Sequence, residues 1–568
     1  MDTSSIDAAL EALDANKIRW ARLPIATKIH LLEGIRRRVG SVAHAWVEAA
    51  VAAKRIPPDS QLVGEEWTSG PYAVAAGAAA VADTLRRIGN GTPVLEGLST
   101  RRLANGQVAV RVFPANSKDR LFLSGHSAEV WMQAGVEEAD LEAIAASFYR
   151  TAEPAGSVAL VLGAGNISSI APLDVLTELF TYGAVTAVKL NPVNAYLGPF
   201  LEEIFGQFIE GGFVRFVYGG TEEGLYLTRH ELVEHIHLTG AAKTHDAIVY
   251  GTGADGVRRK NADEPLISTP VTSELGGVGP TIVVGGEWSD ADLRYQAAHI
   301  MSQKLHNHGF NCIACQVLVL PEEWDQADDL LDEMRAVVSQ VDGRIAYYPG
   351  AVERQATAVA AHPQAEILTD GEGPVTFLTN LDPLVRDDLC FTTEFFGAVL
   401  GVVRLPGSDT QTYLANAVAF ANGTLDGNLG ANVIIHPATA KQDSVALETA
   451  IHDLRYGTIA VNSWVGVAFA MSRATWGAFP GNPRNAIASG TGVVHNALML
   501  EGAERTVVRG AFAPFPRTMR EGVFHTEPTP PYFITNRQAA HLGELLTEFA
   551  VSGSRRTLTA IVATAMRG

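Results

Sequence analysis

The run Ser157-Val158-Ala159-Leu160-Val161-Leu162-Gly163-Ala164-Gly165-Asn166 opens the part of the chain that decides the fold. Its first six residues form a β-rich apolar stretch, and the glycines after it allow a sharp turn. Pro172 to Tyr182 then reads as a helix, and Ala184-Val185-Thr186-Ala187-Val188-Lys189 as the next strand. Strand, turn, helix and strand make a βαβ unit. The alternation continues through Val214–Tyr218, Ile236–Leu238 and Thr281–Val284, so a parallel sheet is expected between about Ser157 and Val284. Its ligands belong at the carboxyl ends of the strands.

Outward from this segment, Ile25 to about Arg55 shows helical spacing and is expected to pack on the first domain. A second α/β segment runs from about Trp288 to Trp464, with strand-like runs at Gln316–Leu320, Val399–Leu405 and Ala431–Ile435. The remainder is rich in turn residues and ends in a helix around Arg537–Val551. At 568 residues the chain is too long for one ordinary core. The expected division is 1–285 for an N-terminal helical region and cofactor domain, 286–480 for a catalytic domain, and 481–568 for a C-terminal segment.

Composition narrows the function. A net charge of −19 repels phosphate backbones, so nucleic acid is not an expected partner. No stretch holds about 18 uncharged apolar residues, and the start lacks a basic segment followed by an apolar run, so neither a membrane span nor secretion is expected. Three cysteines, Cys312, Cys315 and Cys390, are too few for a disulfide framework, which favours a reducing cytoplasm. No metal site is expected, because Cys312-x-x-Cys315 has no second cysteine pair to complete one.

Two segments carry chemistry. Asn307-His308-Gly309-Phe310-Asn311-Cys312-Ile313-Ala314-Cys315 sets two thiols just before a strand-like run. A thiolate is the strongest side-chain nucleophile near neutral pH, although a lone cysteine is more often a small buried hydrophobe. Ser273-Glu274-Leu275-Gly276-Gly277-Val278-Gly279-Pro280 places a carboxylate before a glycine turn that leads into an apolar strand. The turn leaves room for a ligand beside the carboxylate.

Together these segments resemble the aldehyde dehydrogenase superfamily, whose Glu-Leu-Gly-Gly-x-x-Pro motif matches Glu274 to Pro280 and whose Gly-Gln-x-Cys-x-Ala motif matches Gly309 to Ala314. A third match is Glu394-Phe395-Phe396-Gly397-Ala398-Val399, similar to Glu-x-Phe-Gly-Pro-Val. The resemblance runs from about Asn16 to Gly492. It implies an α/β fold with a Rossmann-type cofactor domain, an α/β catalytic domain and a small oligomerisation segment, assembled as a homodimer or homotetramer.

The resemblance also implies roles. Cys312 is the nucleophile that captures the aldehyde, Glu274 activates water against the thioester, and Asn166 donates to the oxyanion. Lys189, Gly240, Glu394 and Phe396 are the expected contacts to NAD or NADP. Pro192 stands where NAD-selective relatives often carry Glu, so both cofactors are expected to be accepted. Phe310, Ala241 and Ala398 depart from the family pattern, as does the loss of the prolines and Trp around Asn166. Two rival functions remain: a CoA-acylating dehydrogenase or acyl-CoA reductase, and an inactive nucleotide-binding or scaffolding relative.

Overall fold

The computed structural model describes residues 3–115, 119, 125–521 and 529–568. In chain order its strands are β1 (Thr100–Arg102), β2 (Val108–Phe113), β3 (Ser127–Met132), β4 (Ser157–Leu162), β5 (Ala184–Lys189), β6 (Val214–Val217), β7 (His235–Gly240), β8 (Val271–Leu275), β9 (Gly279–Val284), β10 (Cys315–Pro321), β11 (Glu366–Ile367), β12 (Thr376–Leu381), β13 (Val399–Leu405), β14 (Gly430–Ile435), β15 (Thr458–Val461), β16 (Gly490–Thr491) and β17 (Ala503–Arg509). They form two sheets.

The smaller sheet has the order β16-β8-β7-β4-β5-β6. Its strands run parallel except for β16, which returns antiparallel on β8. β4 and β5 are apolar and buried almost throughout, as expected of parallel strands covered on both faces. The helix joining them, Ile170–Phe180, is buried along its whole length although it carries Asp174 and Glu178. The N-terminal chain packs on this unit through Trp20, whose ring lies 5.0 Å from Phe213 and 5.3 Å from Phe180.

The larger sheet has the order β1-β2-β3-β17-β15-β14-β9-β10-β13-β12-β11. Strands β17 to β12 in that order are parallel, while β1 to β3 form an antiparallel extension and β11 an antiparallel edge. One expectation is corrected here: Thr281–Val284 does not continue the first sheet. It lies in β9, between β10 and β14. An apolar run specifies a buried strand but not which sheet takes it, and Gly276-Gly277 lets the chain cross between the sheets in three residues.

The helices at 25–53 and 539–552 fall close to their expected places. A further C-terminal helix, Arg555–Ala565, folds back on the latter through Leu542, Leu545 and Ile561. Among the described residues no helix is long and apolar enough to cross a membrane.

Candidate active site

The crossing between the sheets brings the motif residues together. Glu274 is the penultimate residue of β8, Cys312 sits three residues before β10, and Asn166 follows β4. All three line one cavity of about 530 Å³. Two glycines make this packing possible. A Cβ on Gly276 would lie 2.1 Å from Oε1 of Glu394, and one on Gly309, at φ +79°, would lie 2.3 Å from the Gly397 carbonyl oxygen.

The loop before Cys312 is held from beneath. Asn307 and His308 adopt left-handed φ values of 51° and 56°, conformations that need support from their surroundings. The Asn307 N–H donates to Oε2 of Glu65 at 2.9 Å, and its side-chain amide donates to the Phe310 carbonyl at 3.0 Å. Glu65 is paired with Arg344, and Lys54 is paired with Glu66 at 2.8 Å with both side chains 1% exposed. The Tyr347 hydroxyl donates to the Asn166 carbonyl at 3.2 Å. The Asn166 amide in turn donates to the Phe310 carbonyl at 2.9 Å. One of its two N–H groups is thereby committed, leaving one for a ligand in the cavity.

Electrostatically the floor of the cavity is poised for proton transfer. Burial pushes Glu274 up to about 7, opposed by the Cys312 thiol and assisted by Asp174. Neither carboxylate oxygen accepts a hydrogen bond of good geometry. Burial, then the Glu274 charge, holds the Cys312 thiol well above its usual range. Cys315 is fully buried in the apolar packing behind β10 and is pushed up to about 11 by that burial.

Sequence reasoning missed a polar cluster behind Glu274. Burial raises Asp174 to about 6, while the Thr239 hydroxyl donates to it at 3.0 Å. His237 and His495 approach the same carboxylate at 3.7 and 3.5 Å. Burial pushes His495 down to about 4. The available signal was the pair of acidic residues, Asp174 and Glu178, inside a largely apolar helix.

The expected cofactor residues lie at the carboxyl ends of the smaller sheet or beside them. Lys189 ends β5, and Gly240 ends β7, where an added Cβ would meet only Leu238 at 3.5 Å. Glu394, raised to about 8 by burial, lies over Gly276 with Oε1 buried and without a partner. A buried carboxylate oxygen of that kind suits a ribose hydroxyl, so these residues fit a dinucleotide. Phe396 packs on Tyr348 and Phe310 at 4.9 and 5.8 Å. Sequence reasoning also missed Glu223, whose charge raises Lys189 against the lowering effect of burial. Among the described residues no group of three or more His, Cys, Asp or Glu side chains is arranged to hold a metal ion.

The family model for the aldehyde dehydrogenase family matches residues 136–477, more than half of the chain. This chain belongs to the aldehyde dehydrogenase family. Among solved structures it is similar to an NAD-dependent aldehyde dehydrogenase from Sinorhizobium meliloti, with 16% identity and a TM-score of 0.59 over 89% of this chain and 86% of that one. It is also similar to an NADP-dependent glyceraldehyde-3-phosphate dehydrogenase from Bacillus halodurans C-125 complexed with NADP, at 18% identity and a TM-score of 0.57 over 89% and 91%. Lactaldehyde dehydrogenase from Escherichia coli gives 16% and 0.57 over 88% and 89%. At these identities the likeness shows the fold. No curated protein sequence matches the chain.

Proposed function

We propose that the protein oxidises an aldehyde to a carboxylic acid with NAD or NADP, through a thioester on Cys312 that Glu274-activated water hydrolyses. The observation that carries the reading is the convergence of Cys312, Glu274 and Asn166, from three separate elements, on the floor of one cavity.

Because burial keeps the Cys312 thiol protonated, its attack on the carbonyl needs a proton acceptor, and Glu274, poised near neutrality, stands beside it. The sulfur–carbon bond forms as the thiol proton passes to the carboxylate. The resulting oxyanion takes donors from the free N–H of Asn166 and the Cys312 backbone, an arrangement able to lower a barrier by roughly 3 kcal/mol. A bound nicotinamide dinucleotide supplies the hydride acceptor; Lys189, Gly240, Glu394 and Phe396 would hold it. Once its proton has been released, Glu274 removes a proton from water, which attacks the thioester. The carbon–sulfur bond then breaks, and Cys312 is restored.

The same reading places the protein in the cytoplasm as a homodimer or homotetramer, which suits three unpaired cysteines. The test is formation of reduced cofactor from aliphatic, aromatic and semialdehyde substrates with and without CoA. Turnover in buffer alone is expected. Turnover only with CoA would establish the acylating reaction, and no turnover with any aldehyde would establish an inactive relative.

A further inference from the structure

The cavity above Cys312 is much larger than the reacting groups need, and part of its wall comes from the segment beyond residue 492. Leu542, Leu546 and Phe549, spaced by four and three residues, put one face of helix Ala539–Ser552 on it. Ile561 and Ala565 add the next helix, and Ala76, Ala79 and Ala80 face the cavity from helix Ala73–Gly89. The lining also includes Ile167, Ile170, Ile313, Phe469 and two indoles, those of Trp464 and Trp476. The small alanine side chains leave the space that the C-terminal helices roof over.

Charge at the rim is already matched. Arg473 pairs with Asp83 at 2.9 Å and lies 3.7 Å from Asp119, and Arg36 pairs with Glu33 and donates to the carbonyls of Ala550 and Val551. Both lining arginines are thus held in ion pairs. His306, the other basic group there, is pushed down by burial.

We propose that this cavity is a site for a long apolar chain, and that its substrate is a long-chain aliphatic aldehyde whose tail lies between helix Ala73–Gly89 and the two C-terminal helices. A water-sized group takes roughly 30 Å³ in the liquid, so about 530 Å³ accommodates a chain of roughly ten or more carbons. The inference rests on Cys312 capturing an aldehyde, and it assigns the C-terminal segment a share in substrate binding.

The test has two arms. In the first, kcat/KM is measured for straight-chain aldehydes from propanal to dodecanal. Each buried methylene contributes about fourfold, so decanal is expected to exceed propanal by at least about a hundredfold. Ala79→Leu, which fills the cavity, and Phe549→Asp, which charges its roof, should each lower the decanal-to-propanal ratio at least about tenfold. In the second arm, dodecan-1-ol is titrated against the protein without cofactor, read by the fluorescence of Trp464 and Trp476. Saturable binding that Ala79→Leu weakens supports the apolar site whether or not any aldehyde is oxidised. Binding without oxidation of any aldehyde would overturn the proposed activity alone. A flat chain-length profile together with no alcohol binding overturns the inference.

Discussion

Glu274 and Cys312 act on each other unequally across the floor of the cavity. Burial raises both, but the carboxylate pushes the thiol further up while the thiol draws the carboxylate back down. The result is a base near pH 7 beside a nucleophile that is neutral until its proton is taken.

Turnover should therefore follow the protonation of Glu274. Only the ionised carboxylate accepts a proton, so kcat is expected to rise with pH through about 7 and level off above it, well away from the range of an ordinary carboxylate. Glu274→Gln should lose this dependence, form roughly one equivalent of reduced cofactor in a slowed burst, and nearly stop. An acyl adduct on Cys312 should then be visible by intact mass. Normal turnover of this variant in buffer alone would show that water is activated elsewhere.

The same burial links stability to pH. The pKa of Glu274 is raised on folding from 4.5 to about 7, so its contribution is fully present below pH 4.5 and is lost as pH rises through 7. The size is on the order of 3 kcal/mol. Glu274→Gln should make the urea midpoint fall less between pH 5 and pH 9 than it does in the unmodified protein. Equal falls in both proteins would mean that Glu274 is solvated when folded.

Beneath the nucleophile loop, the Lys54–Glu66 pair is buried on both sides at 2.8 Å. Removing one partner leaves an uncompensated charge, so Lys54→Met should destabilise the protein by about 3–5 kcal/mol. Loosening Asn307, to which Lys54 also donates at 3.4 Å, should slow alkylation of Cys312 by a substrate-like reagent. A loss below about 1 kcal/mol in urea unfolding would place water at the pair.

Much of this architecture is written in local patterns. The βαβ run from Ser157 to Lys189 and the strands at 399–405 and 430–435 match their apolar runs, because buried parallel strands need little beyond continuous hydrophobicity. Cys312, Glu274 and Asn166 were marked by motif and spacing, and the structure brings them to one cavity. What local pattern cannot carry is long-range pairing. The transfer of Thr281–Val284 to the other sheet, the approach of His495 to Asp174 and the roof formed by residues 539–565 each join segments far apart in the chain. Glu223 was missed for the same reason: it reaches Lys189 through the turn after β6, not through sequence proximity.

Cofactor preference tests whether that last residue faces the cofactor. A carboxylate near the ribose end of the site repels the additional phosphate of NADP, and Pro192 supplies no such group. Glu223→Gln is expected to raise kcat/KM for NADP relative to NAD by about fivefold, the scale of an exposed charge interaction. The unmodified protein should still use both cofactors within about a hundredfold of each other. An unchanged ratio in the variant would show that Glu223 does not face the ribose.

The role of Cys312 as the nucleophile is tested most directly by comparing Cys312→Ala with Cys315→Ala for acid produced from decanal with NAD or NADP and no CoA. Cys315 is packed in the core behind β10, whereas Cys312 lines the cavity. Cys315→Ala should keep most of the activity, and Cys312→Ala should lose it by roughly a thousandfold or more. Acid formation by Cys312→Ala at the unmodified rate, or an aldehyde analogue that labels Cys315 and leaves Cys312 untouched, would contradict it.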